Sequence, residues 1–260
     1  MEKDIIKNAL IGYKTVWKEK QYLIKLALVP FIIQSICTAI TFNLELDIFS
    51  LRFFLIMLPA YFANAWFAAL MLRLFLLNER NVKSNNPERA KAIKATILYS
   101  VLAVMVQGSI VSLPSELGME PITKDWQPNI IEFGLYVAGM VIAIWAIRLL
   151  WLYIPLSINA SMKEFLKDIK GFGASFYIVG VWLLSTLPIT IVFVLFPALI
   201  LEPNYESTYE LPTAVAFVVM GLRTISSFLS LMVVSASMAY TFSGILKKYG
   251  AQPIFKNIEK

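Results

Sequence analysis

With 260 residues, 58% of them hydrophobic and 15% charged, and a mean hydropathy of +0.70, the chain is too apolar for a water-soluble fold, which would leave much of that surface in water. A net charge of +6 could suit nucleic acid. The basic residues, however, are spread along segments flanking apolar runs and carry no nucleic-acid-binding motif; membrane topology and anionic lipid account for them, and no nucleic-acid partner is expected.

The chain opens on a segment, 3–20, in which Ile5, Ile6, Ala9, Leu10, Tyr13, Val16 and Trp17 share one face at helical spacing. Lys3, Asp4, Lys7, Lys14 and Lys18 lie opposite. Residues 1–20 therefore read as a cytoplasmic interfacial amphipathic helix, with Ile6, Leu10, Tyr13 and Trp17 as its membrane-interface residues. The apolar runs that follow are 22–42, 53–77, 95–113, 133–158, 174–201 and 213–246. Each is long enough to cross a hydrocarbon core of about 30 Å, which needs roughly 20 apolar residues. The expected fold is an all-α, polytopic transmembrane bundle of about six spans occupying residues 21–250, followed by a cytoplasmic tail at 251–260. The first run exceeds the roughly 7–15 residues of a signal-peptide apolar region and reads as an uncleaved span. The lone Cys37 lies inside it, which leaves no disulfide framework and no cysteine metal site.

The connections alternate in charge. The N-terminal arm, the connection holding Arg80, Lys83, Arg89, Lys91 and Lys94, the one holding Lys163, Lys167 and Lys170, and the tail with Lys247, Lys248, Lys256 and Lys260 are basic. The other three connections hold only Arg52 and Lys124 against Glu45, Asp47, Glu116, Glu120, Asp125, Glu132, Glu202, Glu206 and Glu210. The positive-inside rule then puts both termini in the cytoplasm, and a bacterial inner membrane is the expected setting. Asn86 before Pro87 and Glu88 marks a helix start, and Phe165, Leu166 and Ile169 among their lysines form a shorter amphipathic segment. This rhythm suggests three helical hairpins, 1–80, 81–160 and 161–250. Arg73, Arg148 and Arg223 recur every 75 residues, with a true repeat and coincidence both open.

The stretches TVWKEKQYLIKLALVPFII at 15–33 and SMKEFLKDIKGFGASFYIVG at 161–180, with the span arrangement, resemble the Yip1-like family and the membrane domains attached to some glycerophosphodiester phosphodiesterases. The resemblance implies a helical bundle without chemistry of its own, since nothing equivalent to a phosphodiesterase catalytic domain is present.

Histidine is absent from the chain, removing the commonest general base and transition-metal ligand. No zinc-protease pattern, phosphate-binding loop or dinucleotide fingerprint occurs. No catalytic residue, cofactor or metal is expected, and the outer-loop acids Glu116, Glu120, Asp125 and Glu132 read as a solvated acidic surface rather than a paired-carboxylate site. The polar residues inside spans form the candidate intramembrane site: Arg148, Arg223, Asn64, Gln107 and Asn159. Arg148 and Arg223 lie too deep for easy access to the headgroups, whereas Arg73 lies close enough to its span end to snorkel. The serines at 226, 227, 230, 235 and 237 read as a close-packing face. The expectation is a non-enzymatic inner-membrane protein with an accessory, assembly or lipid-associated role. Its partners would be membrane lipids, anionic headgroups on the cytoplasmic face, and other membrane proteins or further copies of itself. A transporter or channel for a small anionic or lipid-like solute is the alternative.

Overall fold

A computed structural model of the protein describes residues 4–46, 50–80, 86–116, 130–201 and 212–257. The acidic connections with Asp47, Glu120, Asp125, Glu202, Glu206 and Glu210 lie outside these residues, as do Lys3, Lys83, Lys124 and Lys260. So do the side chains of Gln107, Glu116, Glu132 and Lys256.

All regular structure among the described residues is helical. The long helices are α1 (Ile5–Asn43), α2 (Leu51–Leu77), α3 (Pro87–Glu116), α4 (Ile130–Leu150), α7 (Phe172–Thr190) and α9 (Thr213–Leu246). Short helices α5 (Tyr153–Leu156) and α6 (Met162–Asp168) join α4 to α7, and α8 (Phe196–Leu201) extends α7 beyond a π-turn at Ile191–Leu195. Among the described residues four helices are long and apolar enough to cross a membrane: Ile5–Asn43, Leu51–Leu77, Phe172–Ile200 and Thr213–Tyr249. That is fewer than the six expected. The runs at 95–113 and 133–158 do form helices, α3 and α4, but several of their side chains are outside the described set.

Local chemistry explains the boundaries. Asp4 and Ser50 cap α1 and α2 by accepting hydrogen bonds from the backbone N–H groups of Lys7 and Phe53. Asn86 does the same for Glu88 one residue ahead of Pro87, at the helix start its sequence foretold. Ser161 accepts from Glu164 at the start of α6, where Phe165 and Ile169 are fully buried and the lysines point outward. The fourth run is not one helix. It stops at Leu150, and the next turn begins at Tyr153. A proline ring clashes with the carbonyl four residues back, here that of Trp151, so Pro155 breaks the helix where Trp151 stands. Pro197 would meet the carbonyl of Phe193 in the same way; the π-turn over 191–195 widens the backbone there and lets the helix continue.

The first helix also departs from expectation. α1 runs through the boundary drawn at residue 20 without a break for 39 residues, about 58 Å of helix against a hydrocarbon core of about 30 Å. α1 packs most extensively along α9, and the two run antiparallel, since Phe42 meets Phe217 and Phe31 meets Phe228. Between that last contact and the approach of Gly12 to Ser237, α1 covers 19 residues (12 to 31) but α9 only 9 (228 to 237). The first part of α1 is therefore inclined to α9 and crosses it. Ile6, Leu10 and Trp17 face outward, with the Lys20 ammonium 3.7 Å above the Trp17 ring, while Asn8, Ala9, Ile11, Gly12 and Thr15 are buried. Tyr13 is half-buried and gives its hydroxyl to the carbonyl of Ser185, at 2.9 Å.

The basic segments meet at one end of the bundle, referred to below as the basic end. Arg80 pairs with Glu19 at 2.9 Å, Asn159 bonds the carbonyl of Glu88 at 3.0 Å, and Lys248 pairs with Asp168. The tail is folded rather than loose. After Gly250 turns in the left-handed region, the N–H of Gln252 bonds the carbonyl of Leu76 at 2.7 Å and Phe255 packs edge-on against Tyr240. Of the expected hairpin pairs, α1 packs on α2 and α7 on α9, whereas α3 lies chiefly against α2 and α5, and α4 against α7.

Candidate functional site

Two polar features sit inside this bundle, one a charged knot and the other a cavity. The knot is built by the end of α2. Asn78 adopts a left-handed conformation (φ 54°), which Asn tolerates better than most residues, and this caps the helix. The turn brings Glu79 back onto Arg73, whose Nε and Nη2 donate to the two carboxylate oxygens at 2.8 and 2.7 Å. Its Nη1 donates to the carbonyl of Ser157 at 2.5 Å. Arg89, from the start of α3, reaches the same carboxylate at 3.3 Å. Arg73 and Arg89 are each only 5% exposed. Arg73 therefore does not snorkel; an acid six residues further on supplies its counter-charge, and the fork ties α2 to the loop before α6. Two buried guanidinium groups share one carboxylate, an arrangement that is costly to break.

The cavity, about 540 Å³, lies midway along the bundle. α2 contributes Tyr61, Asn64, Ala65 and Ala68, and α3 contributes Ser100, Ala103 and Val104. The break between α4 and α5 brings in Leu150, Trp151 and Tyr153, while α7 and α9 add Trp182, Thr186, Ser227, Ser230, Leu231 and Val234. Among the described residues, no Lys, Arg, Asp or Glu lines it. It is not sealed, because Val104, Trp182 and Ser227 on its walls are exposed.

Of the candidate residues whose side chains are described, Asn64 alone is on this wall. Its amide donates to Gln34 on α1 at 2.8 Å, joining two helices halfway along α2. Arg148 is half-buried two residues before α4 ends, because the expected run 133–158 breaks at Trp151. Arg223 is exposed on the outside of α9. Asn159 is exposed in a left-handed turn (φ 59°) after α5, at the basic end, rather than within a span. Gln107 has no described side chain. The structure thus does not bring the four described residues, Arg148, Arg223, Asn64 and Asn159, together. Arg73, Arg148 and Arg223 also occupy unlike places: near the end of α2, at the end of α4, and in the first half of α9.

The serine run splits. Ser235 and Ser237 are buried in helix packing, while Ser227 and Ser230 face the cavity. Beside them runs a junction that the sequence did not announce. Asn8 is fully buried and donates to Tyr177 and, at 3.0 Å, to Thr241, while Ser185 bonds Ser237 at 2.9 Å. Ser100, Trp151 and Trp182 were likewise not singled out, although Trp151 stands four residues before Pro155, the one local sign of a break aimed at this place. No family model, curated protein or solved structure matches the chain.

Proposed function

We propose that the chain is a non-enzymatic membrane protein of six spans that holds a lipid-like molecule in its central cavity. α3 and α4 supply the two further spans. The basic end is cytoplasmic, both termini lie there, and a bacterial inner membrane is the setting that the charge pattern favours. The outward faces support membrane residence: Ile24, Leu28, Ile32, Ile36 and Ile40 form an exposed apolar stripe with one residue every four along α1. Leu183, Leu187, Ile191, Leu195 and Leu199 repeat it along α7 and α8, and Leu98, Leu102 and Val106 along α3. Patches of this length face lipid or a partner rather than water. At the basic end, Lys91 and Lys94 border a groove at the start of α3, a suitable contact for anionic headgroups.

The observation that carries the lipid reading is the uncharged, largely apolar wall of a cavity about 540 Å³ in volume, within the roughly 300–1,000 Å³ range of ligand sites. An anionic solute would find no cation on that wall, so the lipid-like occupant is preferred to the anionic one. Native mass spectrometry of the protein released from membranes tests it. Ala103→Trp, which fills the cavity, should abolish a copurifying lipid that Leu28→Trp on the outer stripe retains; equal retention by both overturns the reading. For the topology, cysteines placed at Ser115 and Asn204 in a Cys37→Ala background should label only from the non-cytoplasmic side.

A further inference from the structure

Asn64, Ser100 and Trp151, which line the cavity, each carry a buried polar atom without a hydrogen-bond partner: Oδ1, Oγ and Nε1 respectively. They come from α2, α3 and the α4–α5 break respectively. Trp151 is 8% exposed. A buried polar group left unpaired costs about 1–3 kcal/mol, and native folds rarely leave several around one space. Their chemistry defines what would complete them. The Asn64 amide nitrogen already donates to Gln34, so its oxygen is left as an acceptor. An indole N–H is a donor only, and a serine hydroxyl serves as either.

We propose that the cavity selects an uncharged lipid whose polar end carries a hydroxyl beside a carbonyl or ether oxygen, the chemistry of a diacylglycerol. The hydroxyl donates to Asn64, the adjoining oxygen accepts from Trp151, and Ser100 bridges either group. An ionised headgroup is disfavoured because no charged side chain lines the wall among the described residues. A pure hydrocarbon would leave all three atoms unpaired. The apolar walls from Ala65, Ala68, Val104, Leu231 and Val234 receive the chain, and the exposed Val104 and Trp182 mark where it leaves toward the bilayer. This inference rests on the lipid reading above and names the class of lipid.

The test uses the full-length protein in phosphatidylcholine nanodiscs with three photoactivatable probes of identical acyl chains: a diacylglycerol, its O-methyl ether, and phosphatidic acid. Labelled peptides are mapped by mass spectrometry. Diacylglycerol should label the cavity-lining peptides about tenfold more than either analogue, and Trp151→Phe and Ser100→Ala should each lower that labelling about five- to tenfold. Equal labelling of the cavity by all three probes overturns hydroxyl selection and leaves the lipid reading standing. Stronger labelling by phosphatidic acid overturns it in favour of an anion site. Labelling confined to the outer stripe on α1 overturns both readings, leaving the orphaned atoms to water. Because the three wild-type probes decide the matter by themselves, a variant that fails to fold does not remove the test.

Discussion

The two ends of the bundle are packed by different rules. At the basic end, burial is nearly continuous: Phe67 to Leu76 on α2 and Met232 to Phe242 on α9 are buried without interruption. On α1 most buried residues precede Pro30. At the far end, α1 buries little beyond Cys37 and Thr41, α2 only Met57 and Ala60 before Ala65, and the π-turn buries no residue. Polar contacts follow the same division, since Arg73 with Glu79 and Arg89, Glu19 with Arg80, and Asn8 with Thr241 all belong to the packed end. The contrast separates two tasks. One end holds the helices together through side chains, and the other leaves faces open to the surroundings, with the cavity between them.

Substitutions can break or sharpen this division, and the largest effect is expected at the charged knot. Glu79→Gln leaves the buried Arg73 and Arg89 facing each other without a counter-charge, and should destabilise the protein by about 3 kcal/mol. Thermal unfolding in detergent would show it, and an unchanged midpoint would remove the knot from the account of the packed end. Next is Gly12→Ala, where the added Cβ would stand 2.0 Å from Ser237 Oγ and 2.9 Å from the carbonyl oxygen of Val233. Overpacking of this kind costs about 1–3 kcal/mol. Asn8→Leu, which removes the bonds to Tyr177 and Thr241, should cost about 0.6–2 kcal/mol, the range for hydrogen bonds between membrane helices. The smallest effect has the opposite sign. Gly221 on α9 has nothing within 4 Å of an added Cβ, so Gly221→Ala should stabilise by about 0.5–1 kcal/mol through helix propensity alone. If Gly12→Ala and Gly221→Ala behave alike, the two ends do not differ as described.

Much of the helical layout was legible because apolar runs and caps are local signals. Asn86 before Pro87, the amphipathic spacing of Phe165, Leu166 and Ile169, and the charge alternation of the connections need no tertiary knowledge. The gathering of basic segments at one end follows from them. What could not be read were partnerships set across the chain. Asn8 and Thr241 are 233 positions apart, and nothing near either announces the other, so the outward half of the first amphipathic face, Ile6, Leu10 and Trp17, was seen while its buried face was not. The depth of Arg148 was counted along one straight helix over 133–158, whereas Pro155 ends α4 at Leu150, two residues beyond it. Arg73 showed the reverse error, since its acid lay close in sequence but became a partner only through the left-handed turn at Asn78.

The antiparallel union of α1 with α9 has a consequence for biosynthesis. α1 leaves the ribosome well before α9, its most extensive partner, and the carbonyl of Leu76 waits for the N–H of Gln252. Until α9 and the residues just after it have been made, the nascent chain must carry Asn8 without Thr241, Gly12 without Ser237, and the end of α2 without its cover. The nascent chain therefore presents polar groups and open helix faces to the insertion machinery, and truncation before Gln252 should leave a product that membrane proteases recognise as incomplete.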